Sequence, residues 1–188
     1  MIAFYKPNKS NKGHGCSFQY PEDPAPKNLA LFFNFAKQSS WDASKGQGAF
    51  QNRERSHNVS GKLNQKEAGE IIHAIEKNVK FSTVHKSAGQ ALSITFEPYM
   101  REGKQVGFSF AVFQTPKDGP KKGFYIGFSF GEAVVVREFL LKCLEVYFET
   151  KIAIFQSYER KVPAKGAPAS GPLKETSPAS KAGADLDF

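Results

Sequence analysis

The sequence is short of the residues with which small chains cross-link themselves or bind metals. Two cysteines, Cys16 and Cys143, stand far apart in 188 residues, which excludes a disulfide framework. Cys143 falls inside an apolar helical pattern and reads as a buried free thiol. The histidines His14, His57, His73 and His85 are scattered. His14 and Cys16 have no second pair at zinc-site spacing, so neither a metal nor a cofactor is expected. No phosphate-binding Walker sequence and no Gly-x-Ser-x-Gly elbow occurs, and Gly13, Gly15, Gly46 and Gly48 fall in stretches that turn geometry explains. Glu67 and Glu70 read as exposed helix-start charges and not as a catalytic pair. These absences point away from an enzyme. No apolar run approaches the ~20 residues of a membrane span. The opening Met-Ile-Ala-Phe-Tyr-Lys carries no signal-length apolar run, and with reduced thiols this predicts a cytoplasmic protein, in a nucleoid or, if viral, in the host cytoplasm.

Acidic residues are also in deficit, 18 against 26 lysines and arginines, giving a net charge of +8. That balance points to an anionic partner, nucleic acid before a membrane surface. Apolar content of 40% and 18 phenylalanines supply a sizeable core.

The chain divides near residue 160. The expected body is 1–158. From 159 to 188, Ala, Pro, Ser, Gly and Lys dominate, a composition that buries too little apolar surface to offset chain entropy and reads as a flexible linker. Within the body, Asn64 and Glu67 form a capping-box pattern, followed by Ala68, Ile71, Ile72 and Ile75 at helical spacing, with Asn78 as a stop. Ser129 and Glu132 repeat the box. Val135, Val136, Phe139, Leu140, Cys143, Leu144 and Tyr147 then give a wide apolar face to about Thr150. Period-two segments precede each helix: Ile2–Lys6, Gly15–Tyr20, Asn28–Gln38 and Ala49–Val59, then Lys80–Lys86, Gln90–Pro98, Gln105–Gln114 and Lys122–Phe130. The expected fold is α+β, two four-stranded antiparallel β-sheets each followed by a helix, ββββα twice over.

Alternation sorts the faces. Leu29, Leu31, Phe33 and Phe35 share one side, as do Leu92, Ile94 and Phe96, then Phe108, Phe110 and Val112, then Phe124, Ile126, Phe128 and Phe130. These residues require burial, and the two helices are the expected cover. The opposite side carries Ser93, Thr95, Gly107, Ser109, Ala111 and Gly127, with Phe32, Phe113 and Tyr125 as isolated rings. Cations tracking phosphates, with sparse rings for bases to stack on, are what a single nucleic-acid strand requires. The candidate phosphate contacts are Lys12, Lys45, Arg53, Arg55, Lys80, Lys86, Lys104, Lys121 and Lys122, and the candidate stacking rings are Trp41, Phe50, Tyr99 and Tyr125.

Several segments resemble the Whirly family of single-stranded DNA-binding proteins. Phe4-Tyr5-Lys6 and Lys12 to Phe18 look like a degenerate form of its Lys-Gly-Lys-Ala-Ala-Leu motif, and Lys62 to Ile72 is similar to its entry into the first helix. Ala91 to Ile94 and Gly123 to Ser129 sit where family strands precede the last helix. The resemblance spans roughly residues 1–155 and implies the ββββα repeat, single-stranded DNA binding and a homo-oligomer. His14 stands for the motif's second lysine, and Gly15 and Cys16 for its alanines, so the higher-order assembly that depends on the motif does not carry over. Related folds include RNA binders and a transcription cofactor, which leaves DNA and RNA both open.

The C-terminal Asp185, Leu186, Asp187 and Phe188 resemble the acidic, aromatic tips of bacterial and phage single-stranded DNA-binding proteins. That resemblance implies docking on replication or repair proteins, carboxylates meeting a basic rim while Phe188 fills an apolar pocket. The expectation is a sequence-tolerant single-stranded DNA-binding protein of replication, recombination or repair. An RNA-binding or annealing protein, or a transcription cofactor, of the same fold is the alternative.

Overall fold

The computed structural model describes residues 1–21, 30–50 and 57–161. Arg53, Arg55 and the tail residues Asp185, Leu186, Asp187 and Phe188 lie outside them. In chain order the elements are β1 (Ile2–Lys6), β2 (His14–Gln19), β3 (Leu31–Asp42), β4 (Gln47–Phe50), β5 (Asn58–Leu63), α1 (Gln65–Lys77), β6 (Phe81–Lys86), β7 (Gln90–Arg101), β8 (Lys104–Pro116), β9 (Lys122–Phe128) and α2 (Phe130–Lys161). All strand pairings are antiparallel, β1-β2-β3 in the first sheet and β6-β7-β8-β9 in the second.

Two antiparallel sheets, each followed by a helix, thus carry the expected architecture, with one refinement. The strand expected at 49–59 exists as two pieces, both paired with β3. β5 pairs with its first half, from Leu31↔Leu63 to Ala36↔Asn58, and β4 with its second half, from Gln38↔Phe50 to Asp42↔Gln47. The middle of the expected strand, 51–56, lies outside the described residues.

The helix starts follow the local chemistry read from the sequence. Asn64 Oδ1 accepts from the Glu67 N–H at 2.9 Å while Glu67 Oε2 accepts from the Asn64 N–H at 2.9 Å, and Asn78 closes α1 in the left-handed region at φ 56°. Ser129 and Glu132 form the equivalent reciprocal pair at the head of α2, with bonds of 2.8 and 3.3 Å. Each cap contributes about 1 kcal/mol. Glu67 is buried, contrary to expectation. Its Oε1 lies 2.6 Å from His85 Nε2 and 3.2 Å from Thr83 Oγ1, so a carboxylate at the start of α1 ties that helix to β6.

The apolar faces of the two sheets pack mainly against each other, where helices were the expected cover. Phe110 of β8 is fully buried and meets Phe18, Phe33 and Phe35 of the first sheet at centroid distances of 5.5, 5.4 and 5.2 Å. Phe4 meets Phe128 edge-on at 5.0 Å. Interdigitated rings of this kind form the core of a sheet-on-sheet sandwich. The helices pack together and complete that core through Ala68, Ile71, Ile72 and Ala74 of α1 and Ala133, Val136, Leu140 and Cys143 of α2. Because the sheets already cover each other, the buried stripe of α2 is narrower than its sequence suggested, and Val135 is exposed. The helix also runs past Thr150 to Lys161, so its 32 residues extend ~48 Å. No helix among the described residues is long and apolar enough to cross a membrane.

Candidate nucleic-acid interface

With the inner faces buried, the outer faces remain for function. Their chemistry follows from pairing. On the first sheet the rows Ala3–Ser17–Asn34–Ser60 and Tyr5–Gly15–Ala36–Asn58 run across β1, β2, β3 and β5. On the second the rows Ser82–Thr95–Ala111–Tyr125 and Val84–Ser93–Phe113–Gly123 run across β6 to β9. Both surfaces are floors of small or hydroxyl-bearing residues with a few large rings standing on them. The floor on the first sheet forms a trough of about 360 Å³.

Two rings owe their seats to glycine. Tyr5 lies over Gly15, where an added Cβ would come within 2.7 Å of its Cδ1, and Phe113 lies over Gly123, where a Cβ would come within 3.0 Å of its Cε1. Bare backbone beneath lets the ring settle onto the sheet with one face outward, at 58% exposure for Tyr5 and 38% for Phe113.

The two surfaces meet at a corner formed by β2 and β9. There the His14 ring contacts Tyr125 at 4.8 Å. A cleft of about 360 Å³ opens beside them, lined by Asn11, Lys12, His14, Lys37, His57 and Tyr125 among others. On the first sheet Phe50 packs on Tyr5 at 5.0 Å. On the second Lys121 sits over Phe113 at 4.7 Å. Two ring pairs, Phe50 with Tyr5 and His14 with Tyr125, thus stand on the first sheet and at the corner, with Phe113 on the second sheet. Lys37 Nζ lies 4.9 Å from the centroid of Phe124 at the lip of the core. Burial, and then the nearby Lys37 charge, hold His14 below the usual histidine value.

The predicted site residues separate into groups. Lys12, Lys121, Lys122 and Tyr125 come together at the corner, and none of these lysines has a carboxylate at ion-pair distance among the described residues. Phe50 adjoins them, half-buried against Tyr5. Lys86 stands at the same end of the second sheet but on its opposite edge, β6. Lys80, Lys104 and Tyr99 gather at the other end, a strand length of ~20 Å away. Lys80 is committed to Glu97 at 2.8 Å. Trp41 is half-buried within β3, and Lys45, in the adjoining turn, pairs with Asp42 at 3.8 Å. Arg53 and Arg55 are outside the described residues.

Three residues of this surface were not among the predicted site residues, Tyr5, His14 and Lys37, while Phe113 was singled out only as an isolated outer-face ring. A signal existed for Lys37, because it continues the inward parity of Leu31, Phe33 and Phe35 one step past the end of the apolar run. A lysine in that register emerges at the mouth of the sandwich. Among the described residues no group of His, Cys, Asp and Glu side chains is arranged to hold a metal ion.

Comparison with solved structures bears on this arrangement. WHY1 from Arabidopsis thaliana superposes with a TM-score of 0.58 at 12% identity, covering 88% of this chain and 96% of that one. The plant transcriptional regulator PBF-2 gives 0.57 at 16%, covering 90% and 88%. The fold is Whirly-like. The Trypanosoma brucei MRP1/MRP2 structure shares the Whirly-like arrangement at a TM-score of 0.52 and 14% identity, covering 81% and 86%. No family model matches the sequence, and no curated protein does. At these identities the likeness speaks for the Whirly-like fold, and function rests on the site.

Proposed function

We propose that this protein binds single-stranded DNA with little sequence preference, the strand passing around the corner between the two sheets. The observation that supports this is the convergence of Lys12 and Lys37 on the exposed ring of Tyr125 at the corner cleft, with Lys121 beside it over Phe113, none of these lysines having a carboxylate at ion-pair distance among the described residues. Phosphates then meet the lysines while bases stack on the rings, and the hydroxyl-bearing floors make no demand on base identity. The comparison with the plant transcriptional regulator PBF-2 supports nucleic acid as the ligand class. Titration of poly-dT at rising salt tests the reading. Affinity should fall with a slope of about −0.7 per neutralised phosphate, and duplex should compete poorly. Absence of salt-dependent poly-dT binding would remove it. Matched RNA and DNA oligomers decide the sugar, since a 2′-hydroxyl contact alone favours RNA.

A role in replication, recombination or repair, with Asp185, Leu186, Asp187 and Phe188 recruiting partner proteins, rests on the acidic, aromatic tip. Removal of these four residues should abolish partner capture and leave strand binding intact or stronger. A homo-oligomer is supported by α2, where Val134, Leu141, Phe148, Ile152 and Phe155 make an exposed apolar stripe. Spacing of seven between Val134, Leu141, Phe148 and Phe155 suits a second helix laid along it.

A further inference from the structure

Gln38 is a buried polar residue at the point where β3 changes partner, and its register with β4 shifts between Gln38 and Ser40. Its side-chain amide is used at both ends. Oε1 accepts from the backbone N–H groups of Asn8 at 2.8 Å and Gly13 at 3.2 Å. Nε2 faces the carbonyl oxygens of Asn8 and Ser40, each at 3.0 Å, and Asn11 Oδ1 at 3.3 Å. The Gln38 N–H donates to the Gly13 carbonyl at 2.8 Å. One side chain thus ties down both ends of the β1–β2 connection. Asn8 orders the middle, its Oδ1 accepting from the N–H groups of Ser10 at 3.1 Å and Lys12 at 3.0 Å. The fit leaves no spare room, since a Cβ on Gly13 would come within 2.4 Å of Gln38 Oε1.

This loop is mostly polar, carries Lys9 and Lys12, and buries no apolar side chain among the core residues. Hydrophobic packing therefore does not explain why a buried amide holds it. What the clamp achieves is the placement of Lys12 in the cleft lined by His14, Lys37 and Tyr125. An ordered cation meets a phosphate without first losing loop entropy, so the contact keeps more of its interaction energy.

We infer that Gln38 is a positioning residue for strand binding, acting through the Asn8–Gly13 loop to hold Lys12 over the corner cleft; the inference rests on the strand-binding reading above. It assigns a phosphate-binding role to a side chain that touches no phosphate itself.

The test compares the full-length protein with Lys12→Gln, Gln38→Ala, Asn8→Ala and the Gln38→Ala/Lys12→Gln double variant. Salt titrations of poly-dT binding and amide hydrogen exchange are the readouts. Lys12→Gln should reduce the magnitude of the salt slope by about 0.7, the share of one phosphate. Gln38→Ala should reproduce that loss, and the double variant should lose no more than Lys12→Gln alone. Exchange at the Gly13 and Lys12 amides should quicken in Gln38→Ala while the amides of α1 keep their protection. A slope unchanged in a folded Gln38→Ala protein, or losses that add in the double variant, would overturn the positioning role. Should Gln38→Ala fail to fold, Asn8→Ala carries the same expectation, because it loosens Lys12 without touching β3. Failure of the wild-type protein to bind poly-dT would instead remove the strand-binding reading itself, with loop exchange still reporting the clamp.

Discussion

The rings of His14 and Tyr125 lie 4.8 Å apart at an interplanar angle of 47°, and this contact joins the surface of the first sheet to that of the second. Tyr125 is 60% exposed in this position, free to take a base on its open face.

Replacing Tyr125 by alanine should weaken poly-dT binding by roughly 1–3 kcal/mol, the range of a base–aromatic stack. Lys104→Gln provides the contrast. Its lysine stands at the far end of the second sheet, so the salt slope should stay within error of wild type. Fluorescence titration of both variants checks this, and equal effects from the two would argue against a corner path.

Acidification should act on His14 in two ways. Its pKa is lowered by burial and by Lys37, so below the ordinary value of 6.5 the folded chain holds fewer protons than the unfolded chain. The stability that goes with the neutral ring is complete above that value and is lost as pH falls through it. Melting temperature should therefore drop less between pH 7 and pH 5 in His14→Phe than in wild type. Once pH falls through the lowered value a new positive charge arises beside Lys12 and Lys37. Poly-dT affinity should rise in wild type and stay flatter in His14→Phe.

Core stability should depend heavily on Phe110. Its ring is fully buried and packs against Phe18, Phe33, Phe35 and Phe96, so it belongs to both sheets at once. Phe110→Ala should cost about 3–5 kcal/mol by denaturant titration, the range for truncating a large buried ring.

Charged substitutions on α2 address assembly. Phe148 is 54% exposed and Phe155 is 65% exposed, and neither contributes to the core. The double change Phe148→Glu/Phe155→Glu should leave the melting temperature of the subunit nearly unchanged while shifting sedimentation to a smaller species. An unchanged sedimentation profile would remove α2 from the assembly surface.

Much of the fold was readable because its signals are local. The Asn64/Glu67 and Ser129/Glu132 boxes act within four residues, and β-strand parity shows directly in Leu92, Ile94 and Phe96. What parity reveals is that a face is buried. It does not say against what, which is why helices were expected where Phe110 meets Phe33. The site was less legible for a related reason. A count of lysines cannot tell Lys80, neutralised by Glu97, from Lys12, which has no carboxylate at ion-pair distance among the described residues, and no sequence spacing links His14 to Tyr125. Those relationships arise only once the sheets have packed.

The pairing of β3 with two separate partners has a consequence for how this surface can change. Since β4 and β5 are each registered against β3 on their own, a slip in one ladder leaves the inward side chains of the other where they are. Lys37 lies between the two ladders and lines the cleft, so natural variation in either ladder can retune the ligand-facing rim while the aromatic interior stays as it is.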